Sequence, residues 1–214
     1  MLRTLRFGAA LFVGFALFAP MSASAQTSIG VKGGIGISDI SAEDDDSFDT
    51  RTAFIGGGFA TVGLGETFFV QPEVLYALKG ASSNFEGVEA TIGLDYIEIP
   101  LLFGAQFGFD GSSVVPRVFA GPAVAFETAC KISGEDGNVS VEVDCEEAGI
   151  ETKSVDFGLV FGAGVAIPLG GFELILDGRY DLGLTNIDDS EFDSASAKNR
   201  AWQFMLGAGF PVGG

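Results

Sequence analysis

Glu173 and Asp177 stand four residues apart on one segment, and two carboxylates so spaced can in principle divide acid and base work between them. The chain carries 29 Asp and Glu against 11 Lys and Arg, and no histidine. Without an imidazole, the Ser–His and His–Asp arrangements of hydrolytic catalysis are unavailable. Arg179 lies two residues beyond Asp177, so the simpler reading makes the two acids structural charges with a basic partner. We therefore expect a protein that is not an enzyme. Cys130 and Cys145 are the two cysteines, and neither belongs to a C-x-x-C pair that would suggest a metal site. The acidic run Glu43–Asp46 lacks the spaced ligands and glycine of an EF-hand loop, which leaves a solvated loop with weak affinity for divalent cations. The glycine-rich pieces Gly30–Gly36 and Gly56–Gly65 do not open a helix after a strand, so they are not phosphate loops, and no cofactor is expected. A net charge of −18 argues against nucleic acid as a partner, because that binding rests on neutralising phosphates.

The first 25 residues set the compartment. Arg3 and Arg6 precede an apolar run from Phe7 to Met21, and the small triplet Ala23-Ser24-Ala25 follows. That order reads as a secretory signal peptide cleaved before Gln26, leaving one domain over residues 26–214. The apolar run is shorter than the roughly 20 residues a spanning helix needs. Both arginines leave with the peptide, so the mature chain is more acidic still. Export places Cys130 and Cys145 where thiols oxidise, and the pair is expected to form a disulfide. Closing a loop of that length is worth roughly 3 kcal/mol in the chain-entropy account.

After Gln26 one theme recurs eight times: an apolar stretch in which every second residue is small, polar or charged, the period of a strand. From Gly171 to Asn186, Phe172, Leu174, Leu176, Tyr180, Leu182 and Leu184 share one face, while Glu173, Asp177, Arg179 and Asp181 share the other with Ile175. Leu94–Gly108, Ser154–Leu169 and the segment around Trp202–Phe210 alternate in the same way. The other four segments are Ser28–Ser38, Thr52–Leu64, Phe68–Gly80 and Val114–Glu127. Strands of about ten residues suit a tilted crossing of a bilayer, and ordinary strands average only about 5–6. The connections alternate in length. Asp39–Arg51, Ala81–Gly93, Thr128–Lys153 and Ile187–Asn199 are long; Gly65-Glu66, Phe109–Ser113 and the turn at Gly170 are short. Long loops on one side and short turns on the other are the mark of an up-and-down barrel in an outer membrane. The expected fold is all-β, an eight-stranded antiparallel transmembrane barrel, with acid-rich long loops facing outward.

In a barrel that narrow, side chains fill the bore. Alternation points Lys32, Gln71, Glu73, Lys79, Glu98, Gln106, Arg117, Asp156, Glu173, Asp177, Arg179, Asp181 and Gln203 inward. A buried unpaired charge is costly, so Lys32, Glu73, Lys79, Glu98, Arg117, Glu173, Asp177, Arg179 and Asp181 are expected to form an interior charge network that plugs the lumen. Pro72, Pro100, Pro116 and Pro122 fall inside strands and cannot donate to a ladder, so bulges are expected there.

Several short motifs carry a family likeness. Phe69-Val70-Gln71-Pro72-Glu73-Val74-Leu75-Tyr76 with Lys79-Gly80, Tyr96-Ile97-Glu98-Ile99-Pro100-Leu101-Leu102, Ala120-Gly121-Pro122, and Arg179-Tyr180 with Gly183-Leu184-Thr185-Asn186-Ile187 resemble strands three, four, five and seven of the bacterial "porin family" outer-membrane β-barrel domain. The likeness extends over essentially all of 26–214. It implies a small barrel in the outer membrane, with lipid, lipopolysaccharide and the barrel-assembly machinery as partners. Members commonly end on an aromatic residue that this machinery reads, whereas this chain continues past Phe210 to Pro211-Val212-Gly213-Gly214. Three functional readings follow: a structural or surface-interaction barrel, a narrow pore for small solutes, and a soluble exported barrel holding an apolar ligand.

Overall fold

A computed structural model describes residues 27–42, 49–85, 88–108, 113–136, 139–149, 153–185 and 197–212. The proposed signal peptide, the acidic run Glu43–Asp46, most of the turn Phe109–Ser113 and the acids of the fourth long loop lie outside the described residues. The strands are β1 (Thr27–Ala42), β2 (Asp49–Leu64), β3 (Phe68–Phe85), β4 (Val88–Gln106), β5 (Val115–Asp136), β6 (Val139–Asp144), β7 (Val155–Pro168), β8 (Glu173–Gly183) and β9 (Ala197–Val212). All pairs are antiparallel in the order β4-β3-β2-β1-β9-β8-β7-β5, and pairing of β4 with β5 closes the ring. This is a closed eight-stranded barrel. The short strand β6 lies outside the ring and folds back along the far end of β5.

Period-two alternation decides which way each side chain points. Val31, Phe54, Phe68, Val74, Phe103, Phe157, Leu176, Trp202 and Leu206 project outward and are 44–63% exposed. Lys32, Glu73, Glu98, Arg179 and Gln203 point inward and are at most 5% exposed. An apolar exterior around a charged interior inverts a soluble protein, and it is stable only where the exterior meets lipid. The inward set is not wholly polar. Phe59, Phe69 and Phe119 also face the bore, and each ring lies against an inward glycine of a neighbouring strand: Gly30, Gly104 and Gly162 respectively. A side chain at any of these glycines would occupy the space of the ring.

The strands are longer than the alternation alone suggests. Much of Ala81–Gly93 is strand, with β3 and β4 paired in register up to Phe85↔Val88. Most of the third connection, Thr128–Lys153, is likewise strand: β5 runs on to Asp136 and β6 returns beside it. Backbone hydrogen bonding extends these strands beyond the apolar belt, because hairpin pairing needs no lipid face. At the opposite end the connections at 65–67 and 169–172 are tight, and Gly65 and Gly170 take positive φ angles of 81° and 83°.

The four prolines do not make bulges, contrary to the sequence expectation. Register is unchanged through Pro72, Pro100, Pro116 and Pro122. Pro72 keeps its partner Leu101 on β4, Pro100 keeps Ala123 on β5, and Pro122 keeps Leu159 on β7; in each case the pairing drops out on the other edge alone. A proline lacks one donor, and in a strand that donor serves one neighbour, so one edge stays intact. The register shifts lie elsewhere, between Thr50 and Ile55 on β2 and beside Asp95/Tyr96 on β4. Both are toward the long-loop end.

Cys130 and Cys145 form a disulfide, their Cα atoms 5.4 Å apart. The bond clamps β5 to the residue following β6, one step beyond the pair Lys131↔Asp144. Near it, Lys131 donates to Glu142 at 2.6 Å on the open face of the ribbon, and that hydrogen bond raises the pKa of the amine.

Candidate functional site

The lumen gathers most of the inward charges into three tiers. At the turn end, Arg117 of β5 donates from Nη2 to Gln71 Oε1 of β3 at 2.5 Å, and Thr61 of β2 donates to the same oxygen at 2.9 Å. Phe69 covers the guanidinium, with 4.5 Å between Arg117 Cζ and the ring centre. Below this tier a vestibule of about 400 Å³ opens between the turns, lined by Ser28, Thr61, Phe69, Gln106, Phe172 and Glu173.

The middle tier crosses the bore. Lys32 of β1 donates to Glu73 Oε1 and to Asp177 Oδ2, both at 2.8 Å. Arg179 of β8 donates from Nη1 to Glu73 Oε2 at 2.6 Å and from Nε to Gln203 Oε1 at 2.5 Å. Gln71 Nε2 donates to Glu73 Oε1 at 2.6 Å. Strands β3 and β8 stand on opposite sides of the eight-membered ring, so the Arg179–Glu73 bridge spans its full width. The side chains of Arg179 and Glu73 are both fully buried. Every hydrogen bond in this tier involves an ionised group, the stronger class of hydrogen bond.

The third tier, toward the long loops, holds Lys79, Glu98 and Asp181. Lys79 Nζ lies 2.5 Å from Glu98 Oε1 and 2.6 Å from Asp181 Oδ2, a second bridge between β3 and β8. Beside it, Asn199 Nδ2 donates to Asp156 Oδ2 at 3.1 Å and to the Tyr96 hydroxyl at 3.4 Å. Among the described residues, no group of three acidic, histidine or cysteine side chains is placed to hold a metal ion.

Glu173 stands apart from this network. It faces inward but is half-buried at the rim of the vestibule, where Ser28 Oγ donates to it at 2.9 Å. Alternation determines which face a residue takes, but not its height in the barrel. Glu173 is the first residue of β8, a full tier below Asp177. The residues that sequence reasoning leaves out of the charge set are the neutral linkers Gln71 and Gln203, with Asp156, Tyr96 and Asn199. The sequence reading assigns Asn199 to a loop, yet counting back by twos from Gln203 places it inward.

Known proteins agree with this architecture. A family model described as "Outer membrane protein beta-barrel domain" matches residues 22–189. No curated protein sequence matches the chain. Among solved structures it is similar to the outer membrane protein OprG from Pseudomonas aeruginosa, with a TM-score of 0.54 at 11% identity over 89% of this chain and 98% of that one. A major outer membrane protein from Thermus thermophilus gives 0.52 at 13% identity, over 87% and 99%. Neisserial surface protein A gives 0.50 at 13% identity, also over 87% and 99%. At such identities the likeness is one of fold, and the family match supplies the rest. The chain belongs to the outer membrane protein β-barrel domain family.

Proposed function

We propose that this protein is a structural and surface-interaction barrel, anchored in the outer membrane by its apolar belt, closed to solutes by its interior charges, and not an enzyme. The observation that carries this reading is the pair of bridges across the bore, Arg179–Glu73 and Lys79–Asp181, whose side chains are at most 6% exposed. Ions passing such a lumen would have to break charge-assisted hydrogen bonds with no water at hand to replace them. The ribbon of β3, β4, β5 and β6 extends beyond the belt on the long-loop side, with Glu142, Asp144, Glu146 and Glu147 exposed. In this reading that side faces outward, residues 1–25 are a cleaved export signal, and the partners are lipopolysaccharide and the assembly machinery. Weak divalent-cation binding at the acidic loops accompanies it.

The turn-end vestibule favours a narrow pore instead, since it reaches Thr61 and Phe69, which touch Gln71 and Arg117. Planar-bilayer recording separates the two. The purified wild-type barrel is expected to give no stable open steps, and Arg179→Ala is expected to give brief ones. Long-lived steps from the wild-type protein would select the pore.

A further inference from the structure

Glu173 takes no part in the tiers above it, yet its carboxylate is held in a defined place. It leaves β8 opposite Gly209 of β9, which pairs in turn with Gly30 of β1. Glycine at 209 lets the side chain lie across β9 and accept a hydrogen bond from Ser28 Oγ of β1 at 2.9 Å. A Cβ on Gly209 would stand 2.7 Å from Glu173 Oε1 and 3.0 Å from its Cγ. The serine hydroxyl fills one of about four lone-pair positions on the carboxylate. Among the described residues, no basic nitrogen lies within 4.0 Å of it.

This carboxylate lines the turn-end vestibule. Small-molecule sites are concave spaces of roughly 300–1,000 Å³, with apolar walls and a few convergent polar groups. The vestibule, at about 400 Å³, sets the rings of Phe69 and Phe172 beside the polar groups of Ser28, Thr61, Gln106 and Glu173. Glu173 is the one ionisable residue of its lining. The nearest bases are engaged above it: Arg117 donates to Gln71 beneath the Phe69 ring, and Lys32 donates to Glu73 and Asp177. The turns and strand ends of this side, residues 27–31, 59–70, 104–116, 164–176 and 205–212, add Glu66 and Asp110 and contain no lysine or arginine. A cleft of one sign with apolar walls concentrates small ions of the other sign.

We propose that the turn-end vestibule binds a small aliphatic amine in its ammonium form, with Glu173 as the counter-charge and the hydrocarbon stem against Phe69 and Phe172. An ammonium brings three N–H donors, and the Glu173 carboxylate, the Ser28 hydroxyl and the Gln106 side-chain carbonyl are acceptors lining the same space. An alcohol of the same shape fills the cavity without meeting the charge, and a carboxylate is repelled by it. The site does not depend on whether the tiers above it conduct, nor on what the outward ribbon meets.

The test uses the mature chain with its disulfide intact, folded in nanodiscs of phosphatidylcholine, whose surface carries no net charge. Nuclear magnetic resonance follows the amide signals of Ser28, Thr61, Gln106 and Gly209 while n-butylamine, n-butanol or butyrate is added at constant pH and ionic strength. The three probes share one stem and differ only in the head group. n-Butylamine is expected to shift these signals saturably and to bind at least ten-fold more tightly than either of the others. Glu173→Gln should weaken the amine at least ten-fold, and Glu66→Gln, on the turn outside the cavity, should leave it unchanged. Heat-modifiable mobility checks that each variant is folded, and the comparison of the three probes on the wild type stands without any variant. Equal binding of amine and alcohol would mean an apolar cavity with no use for the charge, which overturns the proposal. Equal weakening by Glu66→Gln and Glu173→Gln would mean a diffuse acidic rim, and overturns it as well. So would binding that appears only after the chain's own α-amino group is acetylated, since that group would then be the occupant.

Discussion

Arg179 illustrates how much one inward residue settles. Its guanidinium satisfies Glu73 from one nitrogen and Gln203 from another, at 2.6 and 2.5 Å, with no solvent to substitute for it. Arg179→Ala leaves Glu73 with Lys32 and Gln71 but without the bridge across the bore. Breaking a buried pair by removing one partner costs about 3–5 kcal/mol. A loss of that size is expected in urea unfolding of the detergent-folded barrel. Arg179→Lys should recover little of it, because a single ammonium does not offer the two-pronged geometry of the guanidinium. The inward glycines form a second test at this scale. A Cβ at Gly30 would collide with the Phe59 ring and the Ala208 carbonyl, whereas one at Gly36 would meet nothing closer than 3.9 Å. Gly30→Ala is therefore expected to destabilise by about 1–3 kcal/mol, the usual cost of overpacking, and Gly36→Ala to be near neutral in the same assay.

Among the elements, each long strand has two parts with different solvents. Leu176 lies within the belt on β8 and Val141 beyond it on β6, yet they are similarly exposed, 44% and 56%. Surface area alone does not distinguish them; their position relative to lipid does. Leu176→Arg is expected to cost about 2–4 kcal/mol in lipid, as charges on the lipid face near the midplane do, and Val141→Arg almost nothing. Comparison of folding yields into vesicles checks both. The disulfide belongs to the outer part as well. Replacing Cys130 and Cys145 by serine should loosen the β5–β6 ribbon by roughly 3 kcal/mol in the chain-entropy account, while leaving the barrel closed. Limited proteolysis should then cut within 131–149, with heat-modifiable mobility unchanged.

For the whole molecule, the ribbon reports orientation. Val141→Cys in intact cells should react with a membrane-impermeant maleimide, and Gly65→Cys only after the envelope is permeabilised. The reverse pattern would place the acidic ribbon in the periplasm and remove the surface-interaction reading. Closure also explains how four in-strand prolines are tolerated. A ring has no free edge, so the donor each proline lacks is missing from one neighbour while the other neighbour retains the strand.

The amino-acid order by itself determined which face each side chain takes. A period of two follows from the pleat and needs no knowledge of neighbours, so outward Leu176 and inward Glu73 are legible one residue at a time. It also determined the closed fold, since eight apolar faces without a partner sheet leave lipid as their solvent. Register and height were decided only by the tertiary structure. Stagger between strands sets which inward residues share a tier, and it joins Arg179 to Glu73 across 106 positions while leaving Glu173 at the rim. The same stagger sets Asn199 beside Asp156, an outcome that depends on eight strands closing together and is written in none of them alone.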